Sequence, residues 1–229
     1  YINKNSAITA GNILTLNSIV ENDGNILGEK VTFTGTEIKN TGNITGEDTL
    51  YITSDLKNTG TVQGKNLVSI IGNIDNSQNI KSEKTLNISG NVVNNGYIYG
   101  ESADIIGNIT NSGDILSLSN MKISGNIINN KNLNSGDKLT LLSSNILNND
   151  RISALALSIT GVKLVNNGMI TGEKGIFNID NIENYGTLYG KNTLSITGNN
   201  LINNKLIQGS NDLYISSQII ENKDNLFAG

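Results

Sequence analysis

Two stretches of the chain, IKNTGNITGEDTLYITS at Ile38–Ser54 and IENYGTLYGKNTLSITG at Ile182–Gly198, decide the fold because they repeat one pattern. In both, an apolar residue precedes an Asn by two positions, and a second apolar residue follows that Asn by four. A small residue comes two positions later, and an alternating apolar pair completes the pattern. Outward from these stretches, the same pattern recurs about every 18 residues along the whole chain. The sequence is therefore a repeat protein.

Two columns of the repeat show how regular it is. The apolar column has thirteen members, of which all but the first follow an Asn by four positions: Ile8, Ile26, Ile44, Val62, Ile80, Ile98, Ile115, Leu133, Ile152, Ile170, Leu188, Ile207 and Leu226. The Asn column has twelve members, which are Asn22, Asn40, Asn58, Asn76, Asn94, Asn111, Asn129, Asn148, Asn166, Asn184, Asn203 and Asn222. One residue type at twelve equivalent positions indicates architecture rather than catalysis.

The spacing inside one repeat predicts the fold class. Apolar residues are mostly two positions apart, which is the period of a β-strand, and Ile and Val favour strands. Asn-x-Gly and Gly or Ser corners separate the short strands. We predict an all-β parallel β-helix (a solenoid) of about thirteen rungs with about 18 residues per rung, in which residues 1–229 form a single repeat region. Stacked Asn amides are expected to hydrogen-bond from rung to rung.

The composition excludes many functions. The chain has no Cys and no His, which removes thiolate and imidazole chemistry and the commonest metal ligands. Its net charge is −4 and it has a single arginine, Arg151, so the basic surface of a nucleic-acid-binding protein is missing. We expect no enzymatic activity, no cofactor, no metal site and no nucleic-acid partner.

The repeat resembles the haemagglutinin repeat of filamentous-haemagglutinin-type proteins, and the two quoted stretches carry this resemblance over essentially the whole chain. The family implies long β-helical filaments that are exported by two-partner secretion and displayed on the bacterial surface or secreted. We accordingly expect a section of a longer filament, an outer-membrane secretion partner for the parent protein, and a location outside the cell. A right-handed helix is expected from the resemblance and from the preference of parallel crossover connections.

Three functions remain open from the sequence. The first is a structural or adhesive filament that projects an adhesive or toxic tip and contacts a receptor or glycan on a host or bacterial cell. The second is the receptor-binding stretch of a filament that carries a contact-dependent growth-inhibition toxin. The third, more remote, is a β-helical enzyme that degrades polysaccharides. Open terminal rungs also predict end-to-end self-association of the chain.

Six residues are candidate partner contacts. Four are tyrosines at or near outward-facing strand positions, where rings could stack on sugars or anchor a protein: Tyr97, Tyr99, Tyr185 and Tyr189. Arg151 is the fifth, and Leu155, four positions later in the chain, is the sixth. Leu155 occupies a position after the small residue that is charged in many other repeats. Either a local register shift buries Leu155, or the residue forms a lateral apolar contact site.

That charged position also raises the question of catalysis. Its members include Glu29, Glu47, Lys65, Glu83 and Glu101. Carboxylates on adjacent rungs fall within the separation that glycoside hydrolysis uses, about 5–10 Å. A flat ladder offers no cleft and no environment that separates two pKa values. We therefore interpret these residues as solvated surface.

Overall fold

Strands make up nearly all of the regular structure in the computed structural model, which describes residues 1–229. The chain is an all-β parallel β-solenoid of about 12 turns with about 18 residues per turn, which confirms the predicted fold class. The thirteen residues of the apolar column are separated by twelve repeat intervals, and this explains why the number of turns is one lower than the predicted number of rungs. The structure has no helix with the length and apolar character needed to cross a membrane.

Two compact units divide the chain. The N-terminal unit contains Tyr1–Asn108 and Ser112–Ser117, and the C-terminal unit contains Ile109–Asn111 and Leu118–Gly229. That residues 1–229 act as one region stays a prediction.

The N-terminal unit is built from thirteen strands. They are β1 (Ala7–Leu16), β2 (Val20–Asn22), β3 (Asn25–Asn40), β4 (Asn43–Asn58), β5 (Thr61–Gly64), β6 (Leu67–Ile71), β7 (Ile74–Asn76), β8 (Asn79–Ser82), β9 (Thr85–Ser89), β10 (Val92–Asn94), β11 (Tyr97–Gly100), β12 (Ser102–Ile106) and β14 (Asp114–Ser117).

The C-terminal unit is built from eleven strands. They are β13 (Ile109–Asn111), β15 (Asn120–Ser124), β16 (Ile127–Asn129), β17 (Asn132–Ser135), β18 (Lys138–Asn148), β19 (Arg151–Asn166), β20 (Met169–Asn184), β21 (Thr187–Asn203), β22 (Leu206–Gly209), β23 (Asp212–Asn222) and β24 (Asn225–Ala228).

The strands pair in parallel, and the pairing joins equivalent positions of successive repeats. In the N-terminal unit Ile44 lies opposite Ile26 on one side and Val62 on the other. In the C-terminal unit Ile170 lies between Ile152 and Leu188 in the same way. Each column of the sequence is therefore a stack of like residues in the structure.

Each turn contributes three groups of buried side chains, as the turn from residue 43 to residue 58 shows. The first group is Ile44, the second is Leu50 with Ile52, and the third is Leu56 with Asn58. All five are almost completely buried, and the residues between them alternate outward. Stacked Ile, Leu and Val side chains thus form the core that the sequence predicts, and apolar burial is its main source of stability.

The Asn column forms the predicted ladder within both units. Asn58 donates through Nδ2 to Asn76 Oδ1 at 2.8 Å and accepts from Asn40 at 2.8 Å. Asn166 donates to Asn184 at 2.8 Å and accepts from Asn148 at 2.8 Å. These side chains are fully buried, so the ladder satisfies polar groups that would otherwise destabilise the core.

The same amides also fix the corners of the turns. Asn58 Nδ2 lies 3.0 Å from the carbonyl oxygen of Gly60 in its own turn and 3.1 Å from that of Asn79 in the next turn. One side chain therefore satisfies corner carbonyls on two levels of the stack. A Cβ on Gly60 would lie 2.1 Å from the carbonyl oxygen of Gly42, so a side chain there would require the corner backbone to shift.

Candidate functional site

One shallow groove on the C-terminal unit contains three of the six residues that the sequence singles out, namely Arg151, Leu155 and Tyr189. Its volume is about 380 Å³. We call this surface the 151–189 groove. The residues that line it are Asn134, Ser135, Gly136, Arg151, Ser153, Ala154, Leu155, Thr171, Gly172, Glu173, Tyr189 and Lys191.

The strand register explains why residues so distant in sequence meet here. Ser153, Thr171 and Tyr189 occupy the same outward position on β19, β20 and β21, so they form one row across three turns. Arg151 lies two positions earlier on β19, in the row that continues as Met169. The groove is therefore assembled by stacking, and each turn adds one element to it.

Leu155 is exposed, and the interpretation that a register shift buries it is wrong. Its exposed fraction is 49%, whereas the neighbouring Ala154 is buried in the small-residue column. Ala154 pairs with Gly172 and Ala156 pairs with Lys174, so Leu155 is left pointing away from the core at the corner. An apolar side chain in this position forms part of the groove wall.

Three polar groups in the groove have no hydrogen-bond partner within the chain. They are the Arg151 guanidinium, the Thr171 hydroxyl and the Nδ2 amide of Asn134. The Oδ1 atom of Asn134 is occupied, since it accepts a hydrogen bond of 2.7 Å from the Ser153 hydroxyl. These groups are free to bind a ligand.

Other groups in the groove are fixed by contacts within the chain. The Tyr189 hydroxyl and the Ser210 hydroxyl lie 3.0 Å apart, which holds the half-buried tyrosine ring in place. Lys191 Nζ lies 3.3 Å from Glu173 Oε1, and this ion pair is largely exposed. Because Glu173 cancels one of the two cations, the groove carries one net positive charge on a chain of net charge −4.

Tyr97 and Tyr99 form a separate aromatic pair on β11 of the N-terminal unit. Their rings are stacked, with centroids 6.0 Å apart and planes inclined by 7°. Lys81 Nζ lies 5.8 Å from the centre of the Tyr99 ring, at the outer limit of a cation–π contact. Partial burial, followed by the nearby Tyr99 and Asp114, raises the pKa of Tyr97 above its ordinary value.

Tyr185 lies outside the 151–189 groove. It follows the ladder residue Asn184 at a corner and is 48% exposed. Its hydroxyl donates a long hydrogen bond of 3.5 Å to Glu183 Oε2, and the other carboxylate oxygen of Glu183 lies 2.8 Å from Lys163 Nζ. The hydrogen bond and charge of Glu183 raise the pKa of Lys163.

The charged ladder of the N-terminal unit borders a smaller depression. Glu47, Lys65 and Glu83 line it together with Lys81, and its volume is about 210 Å³. No group of three or more His, Cys, Asp or Glu residues in the chain could hold a metal ion.

Sequence reasoning missed Asn134 and Thr171, although both are outward-facing polar residues in the same row as Tyr189. Reading the outward positions in register from one repeat to the next could have found them. Searches for known proteins find no matching family model, no matching curated protein and no matching solved structure.

Proposed function

We propose that this chain is a section of the stalk of a large secreted bacterial surface protein of the filamentous-haemagglutinin type, and that its 151–189 groove binds partners on a cell surface. The observation that carries this proposal is the contrast between an interior that repeats in every turn and an outward surface that varies, on which Arg151, Leu155 and Tyr189 line the same groove. The repeated core and Asn ladder serve as a scaffold. The groove supplies unpaired polar groups and an exposed apolar side chain.

The proposed role is non-enzymatic and takes place outside the cell. An outer-membrane partner would export the parent protein as an unfolded chain. A repeat protein suits this route because each turn folds on the preceding turn. No Cys is present to form mispaired disulfides on the way.

Direct binding to cells tests the proposal. Fluorescently labelled protein is titrated onto epithelial cells and onto related bacteria, and saturable binding is expected. A β-helix of equal length and charge with a shuffled surface is the negative control. Binding no stronger than this control on both cell types would overturn the adhesive role.

Leu155→Glu locates the contact. We expect this variant to fold normally and to bind cells less tightly, since it places a charge in the groove wall. Leu118→Glu is the matched control, because Leu118 lies at the equivalent corner, is 65% exposed and does not line the groove. Equal losses in the two variants would contradict a contact at the groove.

A receptor-binding stretch of a contact-dependent growth-inhibition toxin is the second candidate function. The meeting of Arg151, Leu155 and Tyr189 in one groove favours it, because a recognition site needs a particular set of side chains whereas a stalk does not. Saturable binding to bacteria but not to epithelial cells would support this candidate. Release of reducing ends from uronic-acid polymers would instead support the remote enzymatic alternative.

End-to-end association is a further part of the proposal. In the C-terminal unit Ile220 and Leu226 stand in core columns, opposite Leu201 and Ile207, yet both are exposed. A further rung would cover them. We expect the isolated chain to show a sedimentation coefficient that rises with concentration, and a constant monomer value would refute this association.

A further inference from the structure

We propose that the ligand of the 151–189 groove is an acidic oligosaccharide, whose uronate carboxylate pairs with Arg151 and one of whose sugar rings packs on Tyr189. This inference rests on the adhesive function proposed above and specifies the chemistry of the partner.

The groove floor favours a ligand that is recognised by side chains. Strands β19, β20 and β21 are paired with one another along their length, so their backbone N–H and C=O groups are already used. Extended peptides commonly bind by adding a strand to a free sheet edge, and the groove offers no such edge. A saccharide needs none, because its hydroxyl groups bond to polar side chains.

Arg151 determines the charge of the ligand. Its guanidinium has no ion pair within the chain, and its planar set of N–H donors matches a carboxylate in a bidentate arrangement. The only carboxylate in the groove, Glu173, is engaged by Lys191 at 3.3 Å. The groove therefore presents an unsatisfied cation to a ligand.

Tyr189 and its neighbours suit a sugar ring. The Ser210 hydroxyl holds the Tyr189 hydroxyl at 3.0 Å, so the ring loses little freedom when a ligand packs on it. Aromatic side chains combine a large apolar face with a polar edge, which matches the apolar face and hydroxyl rim of a pyranose. Thr171 and Asn134 contribute an unpaired hydroxyl and an unpaired amide nitrogen in the same row.

The register sets the separation of the two residues that the ligand is proposed to contact. Arg151 and Tyr189 are two turns apart along the stack and two positions apart along the strand. Strand spacings of about 4.8 Å and rises of about 3.3 Å per residue place their Cα atoms roughly 12 Å apart. An oligosaccharide can bridge this separation, with its carboxylate at Arg151 and a neighbouring ring on Tyr189.

Calorimetric titration of the full chain with trigalacturonate tests the inference, with neutral trigalactose as the comparison ligand. We expect binding of trigalacturonate and at least tenfold weaker binding of trigalactose. Arg151→Gln should weaken trigalacturonate binding about tenfold or more. Arg151→Lys should retain only part of the parent affinity, because an ammonium group cannot form the bidentate pair with a carboxylate. Tyr189→Ala should weaken the binding of both sugars.

The matched control is Lys65→Gln, which removes one positive charge from the N-terminal unit at a residue that does not line the groove. It should leave trigalacturonate binding unchanged, and circular dichroism checks that every variant is folded. Equal binding of the two sugars, or equal losses in Arg151→Gln and Lys65→Gln, would overturn the inference.

The same variants separate this inference from the adhesive proposal. Saturable cell binding that is lost in Leu155→Glu, together with no binding of trigalacturonate, would refute the ligand class and leave adhesion standing. Binding of trigalacturonate without any binding to cells would refute adhesion and leave the ligand class standing.

Discussion

The corner after the small-residue column differs between the two units, although the interior behind it is the same. In the N-terminal unit this corner is charged after the first copy, which has Gly11, with Glu29, Glu47, Lys65, Glu83 and Glu101. In the C-terminal unit it contains Leu118, Gly136, Leu155, Glu173, Lys191 and Ser210. Inward positions are constrained by the turns above and below, whereas outward positions are free to vary. Any specific function of a solenoid is therefore to be sought in its outward rows.

The interior should respond equally to mutation in the two units. Asn58→Ala and Asn166→Ala each remove a buried amide with two ladder bonds, and each amide also donates to carbonyls in its own turn and in the next. We expect each to destabilise the fold by about 3 kcal/mol, because several buried partners lose their bonds together. Urea unfolding followed by circular dichroism measures this.

The control for the ladder variants is Asn167→Ala. Asn167 donates to Asn149 at 2.8 Å, but this bond lies on the surface. Its loss should cost less than about 0.5 kcal/mol, as for most surface substitutions. A large cost for Asn167→Ala, or very different costs for the two ladder variants, would contradict an equivalent interior.

The corner should show the opposite behaviour, with small effects on stability and large effects on binding. Leu155→Glu in the C-terminal unit and Glu47→Leu in the N-terminal unit exchange the two corner types. Both should change the free energy of unfolding by less than about 0.5 kcal/mol, since neither site is part of the core. Thermal unfolding tests this. A large loss of stability in Leu155→Glu would show that Leu155 is a packing residue.

Tyr97 offers a pH-dependent test of the aromatic pair. Burial favours the neutral phenol, so its pKa in the folded chain lies above 10.0. The contribution of the neutral Tyr97 phenol to folding stability is present below pH 10 and is lost as the pH rises through the raised pKa of the folded chain. The difference in tyrosinate absorbance between the parent chain and Tyr97→Phe should therefore have its midpoint above pH 10. A midpoint at or below pH 10 would mean that Tyr97 is solvated.

The smallest expected effect concerns the surface ion pair Lys163–Glu183. Glu183→Gln should lower the pKa of Lys163 towards its ordinary value of 10.5, because the hydrogen bond and charge that raise it are removed. Nuclear magnetic resonance titration of the lysine Cε signals measures this. The pair is exposed and screened by salt, so unfolding midpoints should hardly change. An unchanged Lys163 pKa would show that the pair does not form in solution.

Most of the fold could be predicted from the sequence, and the reason is redundancy. Ile44 or Asn58 alone would say little, but the recurrence of each at the same spacing makes the strand period and the stacking unmistakable. The turn that contains Gly175 is an exception. There Gly175 and Phe177 face inward and Ile176 faces outward. A side chain on Gly175 would lie 3.1 Å from the Phe177 ring, so glycine makes room for the larger residue.

The candidate site was less predictable because it depends on side chains from several turns. From the sequence, Arg151, Leu155 and Tyr189 were separate candidate contact residues with no indication that they share a surface. Only the register shows that they line one groove and that Tyr185 lies outside it. The exposure of Leu155 depended on whether the chain keeps its register at Ala154, and the apolar run from Ala154 to Leu157 is compatible with either outcome.

The Asn ladder also has a direction. Within each unit every amide nitrogen donates to the Asn of the following turn, from Asn22 to Asn40 in one unit and from Asn203 to Asn222 in the other. The side-chain dipoles of a unit therefore point the same way and polarise one another. Within such a row, each Asn accepts through its side-chain oxygen from the preceding turn and donates through its amide nitrogen to the following turn. A turn stacked in the reverse orientation would bring like groups together, so the ladder fixes the orientation in which successive turns stack.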